Sequence, residues 1–358
     1  MSLPIQSFQL SINSCSPSWT NTPFPSTYTK VRQLGSGHDA TVYLYRHQPT
    51  VTLIAVKCPK NRIRLSSLPP EIKVLTCLPH HHNNIRLYSV FQNAPYPETD
   101  CIIYEACPAG DLFSLHQRKK SIDKGVYSEH FIWSIFTQLC SAVAFIHEGI
   151  GSPTPSRSTP WKPVIHRDIT PRNILIARLD LDKPWAEVRI KLADFGFASF
   201  YQTPDDQFDG RRVGSPTRWP PEQTWENANA TLAGDVWAAG SVVYELAHGF
   251  EAIVDPQVYE QTFFARGGRE KLARIAPPHH GSYMCANVPR QSIAVNLEEH
   301  EQPLDSRRLR PTMRYSDGLN GCLMAALEWV QPERPTAGRL LWYVEDAHQR
   351  FLIKGGDV

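Results

Sequence analysis

The stretch His166-Arg167-Asp168-Ile169-Thr170-Pro171-Arg172-Asn173, followed by Asp194-Phe195-Gly196, offers three oxygen-bearing side chains in Asp168, Asn173 and Asp194. A carboxylate can orient a hydroxyl and take its proton, and carboxylate and amide oxygens are ligands that Mg²⁺ accepts. Upstream, the apolar run Ile54-Ala55-Val56 closes on Lys57, and Glu71 lies where a helix is expected to begin. A lysine at the end of an apolar strand can simply extend to solvent. Held by a carboxylate on the next element, it is instead a cation placed for phosphate. Earlier still, Gly35-Ser36-Gly37-His38-Asp39-Ala40-Thr41-Val42 lies between two expected strands. Glycines there let backbone N–H groups approach phosphate oxygens. A glycine-rich turn by itself is usually only a turn. A dinucleotide-binding turn would lead directly into a helix; here a strand follows, so that reading fails.

Such side chains need elements to position them. Residues 31–34, 41–45 and 51–57 are short β-branched or aromatic runs separated by turns, and two hairpins in succession predict an antiparallel sheet. Pro69 and Pro70 introduce a helix in which Ile72, Leu75 and Leu78 recur at helical spacing. Further strands are expected over 85–91 and 101–104. The clearest amphipathic helix spans 129–148, with Ile132, Ile135, Phe136, Leu139, Val143 and Ile146 on one stripe. Helical patterns return over 234–248, 319–329 and 337–351, and no internal repeat is present. The expected fold class is α+β: a small β-rich N-terminal lobe over 28–106 and a larger helical C-terminal lobe over 107–353. A Ser/Thr/Pro-rich arm (1–27), with a short docked segment around 8–12, precedes them, and a short tail (354–358) follows. Pro/Ser-rich residues 149–163 read as an exposed insertion.

Composition narrows the classes. Hydrophobic residues at 41% and charged residues at 20% exclude wholesale disorder. The 30 prolines exceed the usual share of about 5% and belong in loops and insertions. A net charge of +2 supplies no global field for nucleic acid or a lipid surface. The longest uninterrupted apolar runs, such as 53–56 and 142–146, fall far short of the about 18 residues of a membrane span. The N-terminus lacks the charged and apolar regions of a secretory signal. Eight cysteines without a CxxC pair read as free thiols. The expectation is an intracellular protein, cytoplasmic or nuclear, with neither nucleic acid nor membrane as partner.

The glycine loop, Ala55-Val56-Lys57, His166-Arg167-Asp168 and Asp194-Phe195-Gly196, in this order, resemble the eukaryotic-type protein kinase family. The resemblance runs from about residue 28 to about 351. Pro220-Pro221-Glu222, Asp235-Val236-Trp237-Ala238-Ala239-Gly240 and Glu333-Arg334-Pro335-Thr336 also match the family's pattern and read as braces of the C-lobe, with Arg334 similar to the ion-pair partner of Glu222. The resemblance implies a two-lobed kinase fold that transfers the γ-phosphoryl of ATP to Ser/Thr hydroxyls of protein substrates, with Mg²⁺. It makes Asp168 the base, Lys57 with Glu71 the phosphate-aligning pair, and Asn173 and Asp194 the metal ligands. Gly35 and Gly37 would cover the phosphates. Tyr104 looks like the residue limiting the back pocket; backbone groups of Glu105 and Cys107 would meet the adenine edge, and Asp111 the ribose. Leu34, Val42, Ala55 and Leu175 would sandwich the base.

The sequence also departs from the family's pattern. Ala40 replaces the third glycine of the loop, and Asp39 near phosphates would repel them unless it points outward. Thr170 stands where Ser/Thr members usually carry lysine, so transition-state charge must be met by Lys57 and Mg²⁺; a working but slow enzyme is expected. Between Thr203 and Ser215 there is no hydroxyl residue; either Asp205, Asp206 or Asp209 pairs with Arg167 and orders the loop without phosphorylation, or the segment is a mobile, solvated acidic loop. Ser215 favours Ser/Thr acceptors and, with Thr170, is expected to hydrogen-bond Asp168. Extensions are expected at 149–163, 179–187 and 250–318; the last reads as loop-rich decoration, with a partner dock as its functional alternative. His80-His81-His82 reads as structural, and His279-His280 has no ligands at metal spacing. The rival reading is a pseudokinase scaffold that binds nucleotide or partners with little catalysis.

Overall fold

In the computed structural model, residues 26–37, 39–64, 67–123, 127–153, 160–180, 187–201, 212–303 and 313–355 are described. Residues 1–25 of the arm expected at 1–27, the acidic residues Asp205, Asp206 and Asp209, His38 and most of the tail lie outside them, as do parts of the three extensions.

Strands β1 (Tyr28–Ser36), β2 (Ala40–His47), β3 (Leu53–Pro59), β4 (Leu87–Phe91) and β5 (Cys101–Glu105) form a five-stranded sheet in the order β1-β2-β3-β5-β4. Every pairing is antiparallel, as the hairpin pattern predicts. Period-2 alternation sorts β3 onto two faces. Ile54, Val56 and Cys58 pack with Phe91, Cys101 and Ile103 on one side. Ala55 joins Val90, Ile102 and Tyr104 in the main core on the other, and Lys57, two residues on, shares that side. There the sheet meets helix α1 (Pro70–Cys77), which has proline in its first turn and buries Ile72, Val74 and Leu75. Leu78, expected within the helix, is its extended C-cap.

In the second lobe, helices α2 (Leu112–Asp123) and α3 (Glu129–Glu148) precede residues 166–173, and α4 (Leu232–His248) follows them. The side chain of Ser128 caps α3 at its start, and Gly149 ends it in the left-handed conformation at φ 74°. Thr231 and Gly249, the latter at φ 80°, do the same for α4. Both helices are apolar nearly all round, the pattern of a helix buried on all sides. Among the described residues α3 alone has the length and hydropathy of a membrane span, which the short apolar runs did not suggest. It is instead the axis of the lobe, packed against α4, the strand Glu187–Leu192 and the C-terminal helix. Short strands β6 (Val164–Ile165), β7 (Ile174–Asp180), β8 (Glu187–Leu192) and β9 (Ser199–Phe200) frame the loops between α3 and α4. β7 and β8 are one hairpin, so the extension expected at 179–187 begins and ends inside paired strands.

The region 250–318 differs from its loop-rich expectation. It contains α5 (Pro256–Ala265), α6 (Gly268–Leu272) and α7 (His280–Asn287) before α8 (Asp317–Ala326) and α9 (Ala337–Ile353) complete the lobe. α5 buries none of its residues. A helix without a buried face is under no packing demand for the continuous apolar stripe by which periodicity is read. The described cysteines are free thiols.

Candidate active site

The strand alternation that turns Lys57 toward α1 also determines its partner. Lys57 Nζ lies 2.7 Å from Glu71 Oε2 and 3.5 Å from Asp194 Oδ1. Glu71 is buried in the first turn of α1, where a carboxylate is stabilised by the helix dipole. Burial pulls the Lys57 pKa down, but the carboxylates of Glu71 and then Asp194 outweigh it, so the ammonium is held above its ordinary value. Tyr104 sits fully buried near the same pair; desolvation pushes its phenol well up, and Glu71 adds to the shift.

Asp194 takes the left-handed conformation at φ 59° ahead of a 3₁₀ turn, Phe195–Phe197. Phe195 is anchored in the core and meets the His166 ring edge-on at 4.8 Å, and His166 Nε2 reaches the Ala193 carbonyl at 3.1 Å. The Asp194 side chain stays half exposed beside Lys57.

Asp168, the expected base, is held from two sides. Asn173 Nδ2 donates to Asp168 Oδ2 at 2.9 Å and to the Asp168 carbonyl at 2.8 Å. Ser215 Oγ donates to Asp168 Oδ1 at 2.9 Å. The expected partnership of Ser215 with Asp168 is present. Thr170 is different: it is buried, and no hydrogen bond engages its hydroxyl among the described residues. With Nδ2 committed to Asp168, Asn173 keeps its amide oxygen as an acceptor, and the chemistry of the set Asn173 and Asp194 suits a hard cation.

Asp235 does more than brace the lobe. Its carboxylate accepts from the backbone N–H of His166 (2.6 Å) and of Arg167 (3.0 Å), and from His147 Nε2 at 3.0 Å. It thereby fixes the backbone that carries Asp168. The signal was present in the sequence: a carboxylate inside the apolar helix Leu232–His248 must find partners or pay the desolvation of a bare charge. Arg334 forms a two-pronged contact with Glu222, at 2.9 and 3.1 Å. Arg218 is paired with both Glu245 and Glu251.

The four residues expected to sandwich a base all pack in or on the main core. Ala55 is buried, and Leu34, Val42 and Leu175 are partly buried against the same core. A Cβ would meet nothing within 4 Å at Gly35 and only ordinary contact with the Ala40 carbonyl oxygen, at 3.9 Å, at Gly37, so the unliganded loop places no steric demand for glycine. Any such demand comes from what approaches it. In the inter-lobe segment, Glu105 N donates to the Arg86 carbonyl at 3.0 Å, while its carboxylate meets Lys191 Nζ at 2.9 Å. Among the described residues no hydrogen bond engages the Cys107 N–H. Asp111 caps α2 instead of standing free, accepting from Ser114 N (2.7 Å) and Ser114 Oγ (2.9 Å). Of the histidines, His81 is buried against Phe145 with ring centroids 4.4 Å apart; burial lowers its pKa to about 4. His280 bonds the Ile275 carbonyl at 2.9 Å.

Nothing in the sequence points to Arg290. Its guanidinium donates to the carbonyls of Trp219 (2.6 Å), Pro216 (2.7 Å) and Val288 (2.7 Å), tying the chain after α7 to the loop that carries Ser215. Burial lowers its pKa to about 10.

Comparison with known proteins agrees with this arrangement. Residues 28–341 match the protein kinase domain family. The chain is 27% identical over 275 residues to the serine/threonine-protein kinase kin-29 of Caenorhabditis elegans, covering 75% of this chain and 29% of that protein. It is 31% identical over 222 residues to the serine/threonine-protein kinase ULK3 of Xenopus laevis (61% and 41%). It is 30% identical over 273 residues to the serine/threonine protein kinase OSK3 of Oryza sativa subsp. indica (74% and 46%). The matched part thus spans less than half of each of these relatives. With the family match extending from β1 into α9, with Lys57 paired to Glu71 and Asp194, and with Asn173 and Ser215 holding Asp168, the chain belongs to the protein kinase domain family.

Proposed function

We propose that this chain is an ATP-dependent protein kinase that phosphorylates Ser/Thr hydroxyls of protein substrates within the cell. The observation that carries the reading is the position of Lys57, 2.7 Å from Glu71 and 3.5 Å from the half-exposed Asp194. A cation held between two carboxylates at a cleft mouth is placed for the α- and β-phosphates of a nucleotide.

Each residue then has a stated task. The carboxylate of Asp168, held by Asn173 and Ser215, orients the acceptor hydroxyl and takes its proton as the acceptor oxygen bonds to the γ-phosphorus and the bond to the β-phosphate oxygen breaks. Asp194 and the amide oxygen of Asn173 would hold Mg²⁺, which supplies neutralisation of phosphate charge when bound. Leu34, Val42, Ala55 and Leu175 supply apolar faces for a flat ring, and the unengaged Cys107 N–H supplies a donor at its edge. Thr170 brings no charge, so stabilisation falls to Lys57 and the metal, and a slow transfer step follows.

The test is Mg²⁺-dependent transfer of γ-phosphate from ATP to a generic basic protein, run beside Asp168→Asn. Transfer by the wild type alone, recovered as phosphoserine or phosphothreonine, supports the reading. Equal signals from both proteins, with ATP still bound, would replace it by the scaffold reading.

A further inference from the structure

On the face of the five-stranded sheet turned away from α1, two thiols stand opposite each other on neighbouring strands. The antiparallel register that pairs Val56 with Ile103 and Lys57 with Ile102 brings Cys58 opposite Cys101 one step further on. Both side chains pack in the same small cluster with Tyr45, Val56 and Phe91. Both are free thiols, and phosphoryl transfer has no use for either. Directly opposed residues of an antiparallel pair have Cα atoms about 4.5 or about 5.5 Å apart, inside the range that a disulfide accepts. We propose that Cys58 and Cys101 are an oxidant-sensitive pair: a hydroperoxide joins them in a reversible disulfide that loosens the hold on ATP. The effect on ATP rests on the nucleotide site of the kinase reading above; the bond itself does not.

The step balances with hydrogen peroxide as the oxidant. The Cys58 sulfur attacks one peroxide oxygen, the O–O bond breaks, and the thiol proton leaves with the other oxygen as water. The Cys101 sulfur then attacks the sulfenic sulfur of Cys58 and expels hydroxide, which takes the Cys101 proton. The pair loses two electrons and two protons, and the peroxide becomes two waters. Cys58 is the point of entry: it is 9% exposed where Cys101 has no exposure, and Lys30 opposes the rise that burial gives its pKa. Burial raises both thiols, so the closed sheet keeps them protonated and oxidation waits on local opening. The bond is strained by its place. Opposed Cβ atoms in a sheet stand about 4.5–5.5 Å apart, whereas a disulfide takes about 3.8 Å, and strained disulfides are the readily reduced ones. β5 is held on its other edge by β4, where Phe91 pairs with Cys101, so β3 yields. Lys57 precedes Cys58 in that strand, Thr41 after the glycine loop lies opposite Cys58, and Lys60 N donates to the Asp39 carbonyl at 2.8 Å. Drawing Cys58 toward β5 therefore displaces Lys57 and the loop together.

The experiment incubates the full chain with hydrogen peroxide for hours, blocks the remaining thiols, and reads disulfide-linked peptides by mass spectrometry beside the Kd for MgATP. Wild type is expected to yield a peptide linking Cys58 to Cys101, with the Kd raised about tenfold by the displaced lysine and loop and restored by dithiothreitol. Cys58→Ala and Cys101→Ala are expected to lack the link and to keep the Kd within about twofold of reduced wild type, before and after peroxide. Cys58→Ala removes the less buried sulfur, so it keeps the test open if Cys101→Ala fails to fold. Absence of the linked peptide overturns the pair. A linked peptide with an unchanged Kd overturns the switch, and so does an equal loss of affinity in Cys58→Ala, which would place the damage at another thiol. A linked peptide and a raised Kd, with no phosphoryl transfer by reduced wild type or by Asp168→Asn, supports the pair and removes the kinase reading.

Discussion

Gly214 packs so closely on the carbonyl oxygen of Arg167 that a Cβ at this position would overlap that oxygen, and Gly214 itself has φ 80°. Two independent constraints therefore demand glycine: the left-handed backbone and the contact with another backbone atom, which cannot swing away as a side chain would. The contact seats the acceptor loop on the catalytic loop, one residue before Ser215 reaches Asp168. Gly214→Ala should cost about 1–3 kcal/mol in local strain and disengage Ser215. Transfer should fall by about a hundredfold, with a much smaller change in Tm, because the lobe cores are untouched. Activity within a few-fold of wild type would show that the loop can reseat elsewhere.

The Lys57–Glu71 pair gives a pH prediction. Burial depresses the lysine, but Glu71 first and Asp194 second raise it above its ordinary 10.5. For a group raised in the folded state, the stabilisation is complete below the unfolded pKa and is lost as pH rises through the folded one. Wild-type kcat/KM for ATP should thus show no alkaline fall from Lys57 below about pH 10. Glu71→Gln removes the largest raising influence while burial remains, so the alkaline limb should move to lower pH. A pH–rate profile whose alkaline limb is unmoved by Glu71→Gln would mean that Asp194 alone holds the ammonium.

How far these features could be read in advance depended on the kind of signal. β3, α3 and α4 announce themselves because burial imposes period 2 or continuous apolarity on their residues, and Lys57, Asp168 and Asp194 stand in short local motifs. α5 was illegible because it buries none of its residues. The role of Arg290 was illegible because it is made of contacts to backbone carbonyls more than 70 positions away, at Pro216 and Trp219. A carbonyl has no residue identity to read. Asp111 shows a further limit: a carboxylate at the expected ribose position is, locally, also a helix cap.

Thr170 is buried with an extended backbone at φ −137° and ψ 160°, and its carbonyl accepts from Asn173 N at 3.0 Å. A lysine tolerates that backbone as well as threonine does, so the loop need not rearrange. If charge at this position is what transfer lacks, Thr170→Lys should speed the chemical step about tenfold, corresponding to about 1.4 kcal/mol of added transition-state stabilisation. Single-turnover kinetics isolates that step from product release. An unchanged rate would show that Lys57 and the metal already meet the charge.

Arg334 is buried and donates to both oxygens of Glu222, to the Ala233 carbonyl and to the Glu328 carbonyl. Its guanidinium also lies 5.2 Å from the Trp237 ring centroid. Arg334→Ala would strand Glu222 and two carbonyls at once, and breaking one side of such a buried pair typically costs about 3–5 kcal/mol. Glu222 is about a quarter exposed, so water can recover part of that loss, and the lower end, about 3 kcal/mol, is expected in urea unfolding. Arg334→Lys should recover little, since an ammonium cannot address two carboxylate oxygens and two carbonyls in one plane. Equal stability of Arg334→Lys and wild type would mean that charge alone matters here. A loss in Glu222→Gln much smaller than in Arg334→Ala would place most of the energy in the carbonyl contacts, making the arginine a clamp on α4 first and an ion-pair partner second.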